Sequence, residues 1–218
     1  MSQAVLTISS RNYSSWSLRG WLLCRMAGLD FVEKVMPSDD PSTRDELLLL
    51  SPSFLVPALS HGEIKVWDTL AIGQYLNEVF PEAGLLPADL APRTHCRAIS
   101  GEMHSGFYNL RSALPMNLRA HYPGFKIWTG AEADIARITA IWRECLKTYD
   151  GPYLFGEKPT LADAMYAPVC TRFQTYDVPL DRLCADYCET ILALPDMVEW
   201  IEAAKAEPHE VEELEAEF

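Results

Sequence analysis

The spacing of hydrophobic residues changes character partway along the chain. Up to residue 80, short apolar, β-branched runs alternate with longer segments whose apolar positions recur every three or four residues. The runs at 4–8 and 31–35 predict strands. The longer segment between them, at 16–27, predicts a helix that stops at Gly28.

The rest of this first part predicts a hairpin between two helices. A short helix is expected at 43–50, and strands at 57–59 and 64–67 are joined by a turn at His61-Gly62. A further helix follows at 69–79. This order predicts a mixed sheet of four strands, with both parallel and antiparallel pairs and with helices packed against it.

Beyond residue 80 the pattern is helical. Residues 81–92 contain three prolines and a glycine, which is typical of a linker. Helices are predicted at 93–114, 131–149, 161–176, 181–192 and 195–206, and the acidic end EPHEVEELEAEF is expected to be frayed or solvated. The predicted fold class is therefore α/β plus all-α, with a first domain at 1–80, a linker at 81–92 and a helical domain at 93–218.

Composition narrows the classes of function. The chain has 218 residues, of which 49% are hydrophobic, and its formal net charge of −13 would repel a nucleic acid. No apolar run reaches the roughly 18 residues of a membrane span, and the N-terminus lacks the features of a signal peptide. We therefore expect a cytoplasmic protein without a membrane partner, whose six cysteines are reduced. No zinc spacing is present, so no metal site is expected.

Polar residues cluster between the first predicted strand and helix, in the sequence Asn12-Tyr13-Ser14-Ser15-Trp16. Free N–H groups and the helix dipole stabilise an anion at a helix N-terminus. A hydroxyl or amide at this position can hold a thiolate or an oxyanion. Alternatively, Ser14 or Ser15 is only an N-cap.

Two further pairs also allow a functional or a structural interpretation. Pro57 cannot donate to a strand ladder, so it marks an edge, a bend or a cis bond. A cis bond would turn the Val56 backbone toward a peptide-like ligand, whereas a trans bond would be an ordinary strand start. Asp68-Thr69 offers an acceptor for an ammonium and a donor for a carboxylate, which suits an α-amino acid, or else it caps a helix.

A fourth motif, Thr160-Leu161-Ala162-Asp163, has the spacing of a structural capping box. Taken in order, the four motifs resemble the cytosolic glutathione transferase superfamily over nearly the whole chain. The resemblance implies a thioredoxin-like first domain and an all-helical second domain. It also implies that Val56, before a cis proline, binds the cysteinyl part of glutathione, and that Asp68-Thr69 binds the γ-glutamyl end.

The segment SSWSLR, at 14–19, is most similar to the zeta, or maleylacetoacetate isomerase, branch, whose pattern is SSCSWRVR. Matching Trp16 and Arg19 without a gap places the first serine of that pattern on Asn12. The group that orients the thiolate is therefore Asn12 or one of the hydroxyls of Ser14 and Ser15, with Ser14 the first choice. Leu55 stands where many members carry a lysine or glutamine that contacts glutathione.

The resemblance also implies a mechanism. Glutathione is the co-substrate, its thiolate is the nucleophile, and the electrophile lies between the two halves of a chain that forms a homodimer. Candidate residues of the electrophile pocket are His104, Phe107, Tyr108, Arg111 and Arg172. The expected activity is conjugation or glutathione-assisted isomerisation of a small electrophile, and the alternative is a non-catalytic binding protein on the same scaffold.

Overall fold

The computed structural model describes residues 3–36 and 56–207. Its strands are Ala4–Ile8 (β1), Phe31–Val35 (β2), Ala58–His61 (β3) and Ile64–Trp67 (β4). They form one sheet in the order β2-β1-β3-β4, in which β1 and β2 are parallel and the other two pairs are antiparallel. The predicted mixed sheet of four strands is confirmed.

Helices account for most of the remaining described residues. They are Ser15–Met26 (α1), Thr69–Val79 (α2), Leu90–Ser105 (α3), Tyr108–Ala113 (α4), Thr129–Tyr149 (α5), Leu161–Thr175 (α6), Arg182–Leu192 (α7) and Pro195–Lys205 (α8). The order of elements confirms the predicted fold class, and the helix expected at 43–50 lies outside the described residues. None of these helices is long and apolar enough to cross a membrane.

The prediction of a single helix at 93–114 is wrong. The structure has two helices, separated by Gly106 and Phe107. A Cβ on Gly106 would lie 2.7 Å from the carbonyl oxygen of Glu102, and Phe107 has a left-handed φ of 55°. A left-handed residue ends a helical run. The apolar spacing continues across the break, which is why periodicity joined the two helices.

The hydrophobic core connects the sheet to the first two helices. Alternate residues of β1 are buried, as the period of a strand requires. The core on this side contains Ala4, Leu6 and Ile8 from β1, Leu18 and Leu22 from α1, and Ile72 and Leu76 from α2. This shared core holds β1 against α1 and α2, and so it holds the end of β1 from which the loop to α1 begins.

Helix α6 lies at the centre of the helical half, with fourteen of its fifteen residues buried. The capping box predicted at its start is confirmed: the Thr160 side chain accepts from the N–H of Asp163, and Oδ2 of Asp163 accepts from the N–H of Thr160 at 2.7 Å. Oδ1 of Asp163 accepts from the N–H of Leu154 at 3.0 Å and from the hydroxyl of Tyr187 at 3.1 Å. One buried carboxylate therefore joins α6 to the preceding loop and to α7.

The last described residues attach the helical half to the first half. Arg25 of α1 forms ion pairs with Asp196 and Glu199 of α8, at 2.9 and 2.8 Å. Glu207, the first residue of the acidic end, accepts hydrogen bonds from the loop between β1 and α1. The expectation of a frayed or solvated end is therefore wrong for Glu207, and 208–218 lie outside the described residues.

Helix α1 packs directly against Pro57 through Gly20, where an added Cβ would lie 2.5 Å from Cγ of the proline. We expect Gly20→Ala to lower the free energy of unfolding by about 1–3 kcal/mol through overpacking. Gly101 in α3 is the matched control, since nothing lies within 4 Å of its Cβ position. Gly101→Ala should raise the free energy of unfolding by up to about 1 kcal/mol. Urea unfolding measures both, and equal stability of the two variants would contradict the prediction.

Candidate active site

A cavity of about 210 Å³ lies between the sheet half and the helical half. It is lined by Trp16, Val56, Pro57, Asp68, Thr69 and His104. The Val56-Pro57 peptide bond is cis, as expected from the sequence. The rings of Trp16 and His104 meet edge to face, with centroids 5.2 Å apart. The fold thus brings residues from three separate sequence motifs and from α3 to one place.

Asp68 and Thr69 have different surroundings although they are adjacent. Oδ1 of Asp68 accepts from the N–H groups of Leu70 and Ala71, at 2.8 and 3.2 Å, so this residue caps α2. Its Oδ2 lies 2.5 Å from Nε2 of His104. The hydroxyl of Thr69 is buried and has no hydrogen-bond partner among the described residues. Because an unpaired buried hydroxyl is costly, this group is suited to meet a polar ligand.

The two serines at the start of α1 also differ in their hydrogen bonds. Ser14 is the N-cap: its oxygen accepts from the N–H of Ser17 at 3.2 Å, and its proton is donated to Oγ of Ser17 at 2.9 Å. Oγ of Ser15 accepts from Nη1 of Arg19 at 3.2 Å. Among the described residues no acceptor holds the Ser15 proton, which leaves this hydroxyl able to donate.

Asn12 connects the two halves of the molecule. Its side chain is fully buried, and Nδ2 donates to Oδ1 of Asn117 at 3.0 Å. Its Oδ1 accepts from the N–H groups of Leu118 and Arg119, at 2.7 and 3.1 Å. Neither Asn12 nor the two serines belong to the lining of the 210 Å³ cavity, which the first-turn segment reaches through Trp16.

Three arginines lie close enough together for their charges to repel one another, and we call Arg19, Arg111 and Arg172 the arginine cluster. The Cζ atoms of Arg19 and Arg111 lie 4.5 and 5.5 Å from the centroid of the Trp16 ring. Nη2 of Arg19 and Nε of Arg111 are buried without a hydrogen-bond partner among the described residues. Arg19 was not among the site residues predicted from the sequence, where its one distinguishing signal is a single charge inside the apolar run WSLRGWLLC.

Two members of the arginine cluster, Arg19 and Arg172, bond to carbonyl oxygens rather than to carboxylates. Arg19 donates to the carbonyl of Met165 at 2.8 Å, and Arg172 donates to that of Leu114 at 2.8 Å. Among the described residues, none of the three arginines forms an ion pair with an acidic side chain. A concentration of partly unpaired guanidinium groups is chemically suited to a carboxylate.

Burial and the repulsion between neighbouring positive charges lower the pKa values of Arg19 and Arg172. Burial, followed by the charges of Arg172 and Arg111, holds the pKa of Arg19 well below its usual range. Burial, followed by the charge of Arg111, lowers the pKa of Arg172 to about 10. The folded protein therefore disfavours these positive charges until a negative group comes near them.

The other residues predicted for the electrophile pocket lie in three different environments. His104 lines the cavity, and Phe107 belongs to the hydrophobic core. Tyr108, by contrast, is 71% exposed. Because Phe107 is left-handed and ends the helix, these neighbours do not share one helical face.

The six cysteines are all buried and free. Burial raises the pKa of the Cys24 and Cys145 thiols to about 12 and that of Cys96 to about 11. Because the thiolate is the reactive form, these side chains are poor nucleophiles at neutral pH. Within the described ranges no group of three or more potential ligands could hold a metal ion.

Comparison with known proteins accounts for both halves. The family domain described as "Glutathione S-transferase, N-terminal domain" matches residues 13–79, and "Glutathione S-transferase, C-terminal domain" matches residues 104–203. The chain belongs to the glutathione S-transferase family. In this glutathione S-transferase, five of the residues lining the cavity fall in the first matched region, and His104 begins the second.

Individual relatives agree with this assignment. Over 165 residues, 75% of each chain, this transferase is 31% identical to glutathione S-transferase 1 of Dianthus caryophyllus. It is 26% identical over 171 residues, 78% of each chain, to a probable maleylacetoacetate isomerase of Caenorhabditis elegans. Its fold resembles the maleylacetoacetate isomerase of Anaeromyxobacter dehalogenans, solved with dicarboxyethyl glutathione and citrate in the active site. That match has a TM-score of 0.63 at 24% identity and covers 95% of this chain and 94% of the other.

Proposed function

We propose that this transferase binds glutathione in the 210 Å³ cavity and delivers its thiolate to a small carboxylated electrophile, by conjugation or by cis–trans isomerisation. The observation that carries the proposal is the position of Trp16, which lines the cavity and also packs against Arg19 and Arg111 of the arginine cluster. Support comes from the relative of Anaeromyxobacter dehalogenans, which holds two carboxylated molecules in its active site.

The glutathione end of the site consists of Val56, Asp68 and Thr69. The γ-glutamyl group carries an ammonium and a carboxylate on one carbon, and Asp68 supplies a negative charge for the ammonium. The buried Thr69 hydroxyl supplies a donor for the carboxylate. The backbone of Val56, before the cis proline, faces the cysteinyl part of the tripeptide in this proposal.

The role of Thr69 is testable because its hydroxyl makes no bond within the described protein. Thr69→Val keeps the shape of the side chain, so the free energy of unfolding should not fall. The dissociation constant of glutathione should rise about tenfold, the equivalent of about 1.4 kcal/mol. Titration calorimetry measures this change, with Thr139→Val in α5 as the control. An equal rise in both variants, or none in Thr69→Val, would reject the assignment.

The thiolate lies at the start of α1 in this proposal, where the helix dipole and unpaired N–H groups favour an anion. The sequence favours Ser14 as the hydroxyl donor, but the hydrogen bonds favour Ser15. Ser14 already donates its proton to Ser17, whereas Ser15 only accepts from Arg19. A guanidinium bonded to Oγ makes the remaining proton of Ser15 a stronger donor.

The two serines can be separated by titrating the thiol of bound glutathione through its ultraviolet thiolate absorbance. Ser15→Ala should raise the pKa of that thiol by about one unit or more, at about 1.4 kcal/mol per unit. Ser14→Ala should mainly weaken the N-cap, at about 1 kcal/mol of stability. A larger pKa change in Ser14→Ala than in Ser15→Ala would return the role to Ser14.

The arginine cluster serves the electrophile. In isomerisation the thiolate adds to one carbon of an activated double bond, and the electron pair of that bond moves onto the adjacent carbonyl oxygen. The remaining single bond rotates, the electron pair returns, and the thiolate is expelled unchanged. In conjugation, a proton from solvent instead adds to the second carbon. Guanidinium groups bind the carboxylate and stabilise the developing oxyanion in both reactions.

The enzyme proposal is tested by turnover of carboxylated and neutral electrophiles with glutathione. Arg111→Met should lower kcat/KM for maleylacetone, a carboxylated electrophile, by about 10- to 100-fold, the value of a charge-assisted hydrogen bond of about 1.5–3 kcal/mol. For neutral chlorodinitrobenzene the change should stay within about threefold, because no carboxylate is bound. Arg97→Met, at an exposed position of α3, is the control. Absence of turnover of any electrophile by the unmodified protein would favour a non-catalytic binding protein.

We also propose a homodimer, a cytoplasmic location and a domain boundary within 81–92. The edge strand β4 exposes apolar side chains, since Ile64 and Trp67 are 47% and 38% exposed, and such an edge favours association. Helix α3 begins at Leu90, with Asp89 at the N-cap position, just inside the predicted linker. Sedimentation equilibrium tests the dimer, and a purely monomeric protein would contradict the proposal of a homodimer.

A further inference from the structure

A carboxylate from the far end of the chain holds the loop between β1 and α1. The Ser10 hydroxyl donates to Oε2 of Glu207 at 2.6 Å, and the N–H of Asn12 donates to the same oxygen at 3.1 Å. The N–H of Arg11 donates to Oε1 at 3.0 Å. One side chain therefore accepts three hydrogen bonds from three consecutive residues, and two of these are from backbone groups.

These bonds continue into the turn that leads to α1. Oγ of Ser10 accepts from the N–H groups of Asn12 and Tyr13, at 3.1 and 3.2 Å, while its proton goes to Glu207. The carbonyl of Ser10 accepts from the N–H of Ser14 at 3.0 Å. The orientation of the Ser10 hydroxyl, set by Glu207, therefore determines the turn that ends at the N-cap.

Glu207 is itself held in place. Its carbonyl oxygen accepts from Nη1 of Arg119 at 2.9 Å, and its N–H donates to the carbonyl of Ala204 at 3.2 Å. Nη1 of Arg119 thus fixes the backbone of the same residue whose side chain holds the loop. Nε1 of Trp200 in α8 donates to the carbonyl of Arg11 at 3.0 Å. The helical half therefore holds the loop in addition to the hydrogen bonds that the loop makes within itself.

We propose that Glu207 is a positioning residue for thiolate activation, acting through the loop at 10–14 on the hydroxyl and N–H groups at the start of α1. The inference rests on the proposed function, because it concerns which residue holds the hydrogen-bond donors of that same thiolate site in position. Two effects of the carboxylate oppose each other. Its negative charge disfavours a nearby thiolate, whereas its hydrogen bonds hold the donors that favour one. Positioning requires the second effect to be the larger.

The sign of one measurement separates these effects. The pKa of the bound glutathione thiol is titrated in the unmodified protein and in Glu207→Ala, Glu207→Gln and Glu202→Ala. The last is the control, an exposed acid of α8 whose side chain pairs, within residues 3–36 and 56–207, with Lys205 alone. Positioning predicts a rise of about half a unit or more in Glu207→Ala, roughly a threefold loss of thiolate, although a negative charge has been removed. Glu207→Gln, which keeps one acceptor oxygen, should show a smaller rise, and Glu202→Ala should show none.

Either of two other results overturns the proposal. A lower thiol pKa in Glu207→Ala would mean that the residue acts only through its charge, and an unchanged pKa with a lower Tm would mean a purely structural role. Amide hydrogen exchange at Arg11 and Asn12 provides a readout that does not depend on glutathione. Exchange there should be about tenfold faster in Glu207→Ala than in Glu202→Ala, and equal rates would also reject the proposal. If the unmodified protein does not activate glutathione at all, the proposed function fails, and the exchange rates still decide whether Glu207 orders the loop.

Discussion

The carboxylate of Asp163 fixes the start of α6, and the arrangement of the site depends on that helix. Burial raises the pKa of Asp163, while the hydrogen bonds from Leu154, Thr160 and Tyr187 act in the opposite direction. Removal of the carboxylate would leave buried donors unpaired, which costs more than the bonds themselves contribute. Helix α6 in turn supplies the carbonyl that holds Arg19 and carries Arg172. Helix α6 therefore positions two of the three members of the arginine cluster, Arg19 and Arg172.

The features that the sequence predicted correctly are local. The capping box at Thr160 depends on residues three positions apart, and the turn at Gly62, with a φ of 65°, depends on one residue. The errors arose where distant or conformational effects decided the outcome. Hydrophobic spacing cannot reveal the left-handed Phe107, because the apolar pattern continues beyond it. Glu207 lies in an acidic stretch that composition assigns to solvent, and its partners are more than 190 residues away.

In the candidate site, too, the sequence predicted the residues better than the direction of their individual hydrogen bonds. Residue types and the family resemblance made Val56, Asp68 and Thr69 candidate site residues, and all three line the cavity. Residue types could not separate capping from binding, which depends on the direction of each oxygen: Asp68 caps α2, and the Thr69 hydroxyl does not. Likewise Ser14 and Ser15 have the same chemistry in the sequence, and only the positions of Ser17 and Arg19 distinguish their protons.

The arginine cluster connects the proposed selectivity of the site with the stability of the fold. Arg19 and Arg172 have lowered pKa values, so the folded state binds their protons less tightly than the unfolded chain does. Their charges therefore oppose folding at pH values where both are protonated, partly offset for Arg19 by the ring face of Trp16. A carboxylate held by the cluster would reverse this effect, and a ligand that binds only the folded state stabilises it by an amount that grows with the logarithm of the ligand concentration relative to Kd. Desolvation of positive charge is thus a local cost in stability, and it is also the physical basis of the proposed preference for carboxylated molecules.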